Sequence, residues 1–222
     1  MIANEYSLIA LVTVAAFVPL LIAAGTCYIK FSIVFVLIRN ALGIQQVPSN
    51  MTLNGIALFL ALFVMTPIIQ KGYEQYQNEH VQFNNIDSLI EFSDTGLSGY
   101  RNYLKKYSDP ELVEFFEKAQ SGRLNEHAHN KANVVEDPSI IALLPAYALS
   151  EIKASFKIGF YLYLPFIVVD MVISCILLAL GMMMMSPVTI SVPIKLILFV
   201  AMDGWGLLSK GLVMQYIDLA RS

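Results

Sequence analysis

Four long apolar runs, interrupted by one polar stretch, set the limits on what this chain can fold into. Residues 8–38 carry a single charge, Lys30, and residues 53–69, LNGIALFLALFVMTPII, carry none. A third run, 158–180, is interrupted only by Pro165 and Asp170. A fourth begins near Val188 and is broken by Pro193, Lys195, Asp203, Gly204, Gly206 and Lys210. A helix of about 20 apolar residues crosses the ~30 Å hydrocarbon layer of a bilayer. As one straight helix, 8–38 would run about 46 Å at ~1.5 Å per residue. Pro19 and Gly25 are therefore expected to kink or break it. Pro67 is expected to weaken the end of the second run, which is at the short limit for a span. The pattern predicts an all-α, membrane-associated protein made of apolar helical hairpins with broken or kinked helices.

Charge divides the chain into three regions: apolar residues 1–69, a soluble insert at 70–138, and apolar residues 139–222. Only 14% of the chain is charged and 57% is hydrophobic, against about 25% charged in ordinary soluble domains. The insert holds twelve of the 17 acidic residues, seven of the 14 basic ones and all three His, a formal charge of −5. It is read as a small helical domain. Asp109-Pro110 is a cap followed by a residue suited to the first helical position. Leu112, Phe115, Phe116 and Ala119 form the apolar face of the helix that follows. Asp94 to Tyr107 is expected to hold another helix, with Leu97, Tyr100, Tyr103 and Leu104 on one side. Ser121 to Asn133 reads as a mobile loop, and Asp137-Pro138 as a further helix start. Beyond it, Leu149, Ile152, Phe156 and Phe160 share a face at helical spacing, beside a polar stripe of Ser150, Lys153 and Lys157.

Several functions are disfavoured. No polybasic run points to nucleic acid. Cys27 and Cys175 lie far apart in apolar stretches and form neither a disulfide framework nor a CxxC site. His127 and His129 lack Cys or acidic partners at metal-ligand spacing, so no metal and no cofactor is expected. No nucleophile elbow, phosphate loop or zinc-protease motif is present, and enzymatic activity is not expected. The N-terminus has Glu5 where a secretory signal would be positive. Ala24-Gly25-Thr26-Cys27 lacks the large aliphatic first residue and the small residue before Cys of a lipoprotein box, so the first segment is expected to be retained. Lys30 and Arg39 favour a cytoplasmic first connector, which would put the insert outside. Lys71, Lys153, Lys157 and Arg221 oppose that orientation.

Three features are candidates for function. Met182, Met183, Met184 and Met185 form an unbroken run of flexible, polarizable side chains. They either fill an irregular core or sit at a helix end, or they seal a pore contributed by several chains. Asp170 is a lone carboxylate in an apolar run, suited to an ion pair with a lysine of another helix or to proton relay. Asp203 and Lys210, seven residues apart, are expected to share a helix face. Such charges, Lys195 among them, usually face protein or water, while Lys153 and Lys157 suit an aqueous path, lipid headgroups or a plain solvated face.

From Leu144 to Lys153 (LPAYALSEIK), on through IGFYLYLPFIVVDMVISCILLALGMMMMSPVTISVPIKLILFVAMDGW, the chain closely resembles the FliP/SctR family. That family comprises export-apparatus proteins of flagellar and virulence type III secretion. KFSIVFVLIRNALGIQQVPSNMTLNGIALFLALFVMTP looks like the family's N-terminal block, and its wording resembles the virulence, injectisome branch. The resemblance covers nearly everything except the insert. It implies a homo-pentamer assembled with SctS-type and SctT-type subunits in the bacterial inner membrane, partly raised toward the periplasm. Secreted polypeptides would pass unfolded through its centre, with lipid around it. Met182–Met185 would be the gasket, the charges would face sister subunits, and the insert would be periplasmic. Two other readings remain open on the residues alone: an ion-coupled transporter using Asp170, Asp203 and the lysines, and a non-conducting assembly scaffold.

Overall fold

The computed structural model describes residues 12–13, 16, 19, 22–79, 98–125, 138–182 and 184–217. Every regular element among them is a helix: α1 (Tyr28–Ala41), α2 (Asn50–Glu79), α3 (Ser98–Tyr107), α4 (Pro110–Asn125), α5 (Ile140–Ala179), α6 (Pro187–Ala201) and α7 (Gly204–Met214). By length and composition α2 and α5 are long and apolar enough to cross a membrane, and α6 with α7, bent by 59°, has the composition of either a broken span or a re-entrant loop. The chain separates into two compact units, Met1–Ile29 with Met65–Glu151, and Lys30–Val64 with Ile152–Ser222.

In the first unit the insert helices pack against the N-terminal part of α5. Tyr103, Leu104, Leu143, Ala146 and Tyr147 are fully buried, and the Tyr103 and Tyr147 hydroxyls share a hydrogen bond. Asp109 caps α4 as its residue type suggests, accepting from the Glu111 amide at 3.2 Å, and its own amide donates to Ser150 Oγ at 2.7 Å. Two sequence expectations change here. Ser121–Asn125 is the last turn of α4 rather than loop, because a single Gly122 costs only about 1 kcal/mol once a helix has propagated; residues 126–133 lie outside the described set. The cap of α5 is Ser139, not Asp137, which is also outside it. Ser139 Oγ accepts from the Ala142 amide at 3.3 Å and donates to Gln120 Oε1 at 2.6 Å, tying α5 to α4.

The second unit is built on α1. Phe31, Val34, Phe35, Ile38 and Leu42 recur at three- and four-residue spacing and are all buried. Against them α2 turns a narrow stripe of Leu53, Ala57, Ala61 and Val64, small enough for close helix approach. Ser32 Oγ donates to Asn54 Oδ1 at 2.8 Å. Pro67 does not end α2, which continues to Glu79. One proline removes a single i→i−4 bond, a loss that apolar spanning helices tolerate.

The largest reversal concerns α5. Most of the apolar face picked out by helical spacing is turned out: Leu149, Phe156 and Phe160 are exposed, while Ser150, Glu151 and Ser155 are buried. Helix contacts here are made by small residues. A Cβ on Gly159 would lie 2.3 Å from Leu37 Cδ1. Further along, Phe166, Ile173 and Leu177 are buried, whereas Leu164, Ile167, Val168, Met171, Val172 and Ile176 are exposed. In water such a face would be an association hazard; against lipid or sister subunits it carries no penalty.

Gly159→Val is therefore expected to lower the thermal midpoint of the detergent-solubilised chain. Overpacking costs about 1–3 kcal/mol, and the emission of Trp205, the single tryptophan, reports it. Gly55→Ala, where an added methyl meets nothing within 4 Å, should not lower the midpoint.

Candidate functional site

α5 and α6 form an antiparallel hairpin whose tip is the methionine run. α5 ends because Gly181 adopts φ +76°, a conformation open to glycine without steric cost. The Met182 amide then donates back to Leu177 O and the Gly181 amide to Leu178 O, both at 3.0 Å. This paired return satisfies carbonyls left over at the helix end. The Met185 amide bonds to Met182 O at 3.3 Å. Ser186 then takes the cap position of α6 and Pro187 its first, with Thr189 Oγ1 donating to Ser186 O at 2.7 Å. Met184 stands fully clear of the chain, and Met182 and Met185 are exposed to a lesser degree. Met183 lies outside the described residues.

The hairpin is stapled by charge. Lys195 Nζ donates to Asp170 Oδ2 at 2.6 Å and to Ala41 O, at the end of α1, at 3.2 Å. The Lys195 side chain is 6% exposed and that of Asp170 40%. A buried ammonium is tolerated only with a counter-charge and hydrogen-bond acceptors; here α5 supplies the counter-charge and α1 a carbonyl. Phe166 and Phe199 meet in the same register, their rings tilted by 52° with centroids 6.5 Å apart.

The other sequence-selected charges lie elsewhere. Lys153, Lys157, Asp203 and Lys210 are all exposed. Asp203 and Lys210 do not share a helix face, because Asp203 occupies the break between α6 and α7. It adopts φ 50° there, and the two helices meet at 59°. Its carboxylate lies over Gly206, where a Cβ would be 2.3 Å from Oδ2. Under the bend is an apolar cavity of about 380 Å³, lined by residues such as Leu162, Phe166, Phe199 and Leu208, with Gln215 its one polar side chain. None of the lysines or aspartates named above lines it.

Sequence reading missed three buried charges. Lys30 and Arg39 were taken as topological signals but are structural. Lys30 Nζ sits 4.7 Å from the centre of the Tyr216 ring. Arg39 Nη1 donates to Pro48 O at 3.1 Å and to Asn50 Oδ1 at 2.6 Å, pinning the connector between α1 and α2. Glu151 is 1% exposed. The signal for the two cations was present, since a lone charge inside an apolar run faces protein more often than lipid.

Asp170→Asn and Lys195→Met are each expected to destabilise the second unit, by about 3 kcal/mol for the variant that strands the lysine. The double variant should be more stable than the sum of the two losses. Thermal melting followed by Trp205 emission across all four proteins tests this, and strict additivity would show that the pair does not couple.

Comparison with known proteins places these residues in context. The FliP family model matches residues 11–212. The chain is 63% identical over 221 residues to the surface presentation of antigens protein SpaP of Salmonella typhimurium, covering 98% of this chain and 99% of that protein. It is also 63% identical over 216 residues to SpaP of Shigella flexneri, covering 97% and 98% of the two chains. Its identity to the Yop proteins translocation protein R of Yersinia pestis is 44% over 213 residues, covering 96% and 97%.

Proposed function

This chain belongs to the FliP family, and we propose that it is a pore-forming subunit of a type III secretion export gate that conducts unfolded proteins across the bacterial inner membrane. The observation that carries this reading is the methionine turn. It is a short connector fixed at both ends by backbone caps, and Met184 projects from it with no contact to its own chain. Repeated around an axis, such turns make an apolar ring. A hydrophobic constriction excludes water and ions, while unbranched thioether side chains can re-pack around a moving polypeptide.

The outer faces of α2 and α5 support assembly. Phe59, Phe63, Phe156, Phe160 and Val168 are exposed on the single chain, and subunit contacts would cover them. We assign those contacts to sister copies in a homo-pentamer and to SctS-type and SctT-type subunits. Lys153, Lys157, Asp203 and Lys210 then lie at contacts between chains, whereas Asp170 and Lys195 hold the hairpin itself. Residues 70–138 form a periplasmic domain between the apolar regions 1–69 and 139–222, and part of the assembly is raised toward the periplasm. The Yersinia relative's name, which refers to translocation of Yop proteins, agrees with a protein-export role.

Replacing Met182, Met183, Met184 and Met185 together by Ala should leave the amount of assembled complex unchanged. Ion leakage from proteoliposomes containing it should rise about tenfold, as expected for a widened apolar constriction. An unchanged seal, with assembly intact, would mean that the conduit is made elsewhere and that this chain is a scaffold.

A further inference from the structure

Among the described residues of the first unit, the insert reaches the first apolar segment at Gly25. Residues 22–25 are helical, the helix is interrupted at Thr26 and Cys27, and α1 begins at Tyr28. The Thr26 hydroxyl bridges the gap, donating to Ile22 O at 2.7 Å and accepting from the Tyr28 amide at 3.3 Å. A carbonyl at such a break has lost the amide one turn further on and needs another donor. For Gly25 the donor comes from 75 residues away: Tyr100 Oη, on α3, donates to Gly25 O at 2.9 Å.

The residue type at 25 makes that contact possible. A Cβ there would lie 2.3 Å from Tyr100 Oη, so any side chain would push the tyrosine off. Tyr100 is itself held. Its ring stacks on Tyr103 at 6.2 Å, and Tyr103 lies against Tyr107 and Tyr147, each at 5.3 Å. Burial pushes the Tyr100 hydroxyl pKa up to about 12 and holds that of Tyr103 higher still, with Cys27 adding to the effect. Both therefore stay protonated near neutral pH, and Tyr100 stays a donor.

We infer that α3 is a clasp on the break in the first apolar segment, with Tyr100 fixing that break by filling the space glycine leaves and bonding to its carbonyl. The insert is then a control element. A ligand or subunit that lifts α3 away from Gly25 releases the break, and anything that straightens the break expels Tyr100. The clasp rests on contacts inside one unit of one chain, independently of the export-gate reading.

Amide hydrogen exchange on the full chain in mild detergent tests it. Tyr100→Phe removes one hydroxyl and keeps the stacked ring. Exchange in peptides spanning 22–29 should rise about fivefold, the range expected for loss of one hydrogen bond that holds a local opening. Peptides covering 142–147 should exchange as in the unaltered chain. Gly25→Ala should give the same local pattern, and adding Tyr100→Phe to it should add little. Tyr161→Phe, on the exposed face of α5, should change nothing at 22–29. No change at 22–29 in Tyr100→Phe, or an equal rise across 22–29 and 142–147, overturns the clasp. The second outcome would make Tyr100 a general support of the unit.

Discussion

A lysine whose side chain is 94% out of water must find a counter-charge, and the way Lys195 does so organises the second unit. Its ammonium reaches across to Asp170 on α5 and down to the last carbonyl of α1. One side chain thereby fixes three helices. Asp170 and Lys195 flank the methionine run, twelve residues before Met182 and ten after Met185. The hairpin cannot slide by a turn without separating them, so the position of its tip is set by the ion pair. Burying a charge pair contributes little net stability compared with a well-packed apolar alternative. Its physical advantage here is register.

The second constraint is the reversal of α5. In water a helix hides phenylalanine and shows serine. This one does the opposite over residues 149–160, with Ser150, Glu151, Ser155 and Gly159 turned to the interior. Small and polar contacts between helices, with bulky apolar side chains outside, are the arrangement expected where the surroundings are lipid or other subunits. The 59° bend between α6 and α7 fits the same picture. It rests on Gly204, where a Cβ would lie 2.3 Å from the Phe199 ring, and on the edge-to-face contact of Trp205 with Phe199 at 5.3 Å.

Much of this was legible in the residues. Length and apolarity located the membrane helices, Gly25 marked a true break, and Asp109-Pro110 started α4. The methionine run was conspicuous, although its place at a hairpin tip needed Gly181, Ser186 and Pro187 to be read together as an end and a start. What was not legible depended on contacts between distant parts of the chain. Nothing local pairs Asp170 with Lys195 rather than with Lys210. Which side of α5 turns inward over residues 149–160 was not legible, because the amphipathic rule assumes water on the outside. The helix start at Ser139 was missed because Asp137 and Pro138 offered the more familiar signal two residues earlier. Lys30 and Arg39 were read for membrane orientation rather than for burial, although both are buried within helix α1.

A ring of methionine turns needs several copies of this chain around a common axis. The most direct measurement is native mass spectrometry of the full-length protein released from membranes in mild detergent. A complex whose mass contains five copies of the 24.7 kDa chain is the predicted result. A protein found only as single copies, with and without the other export-apparatus subunits, would contradict it, because one methionine turn cannot close a ring.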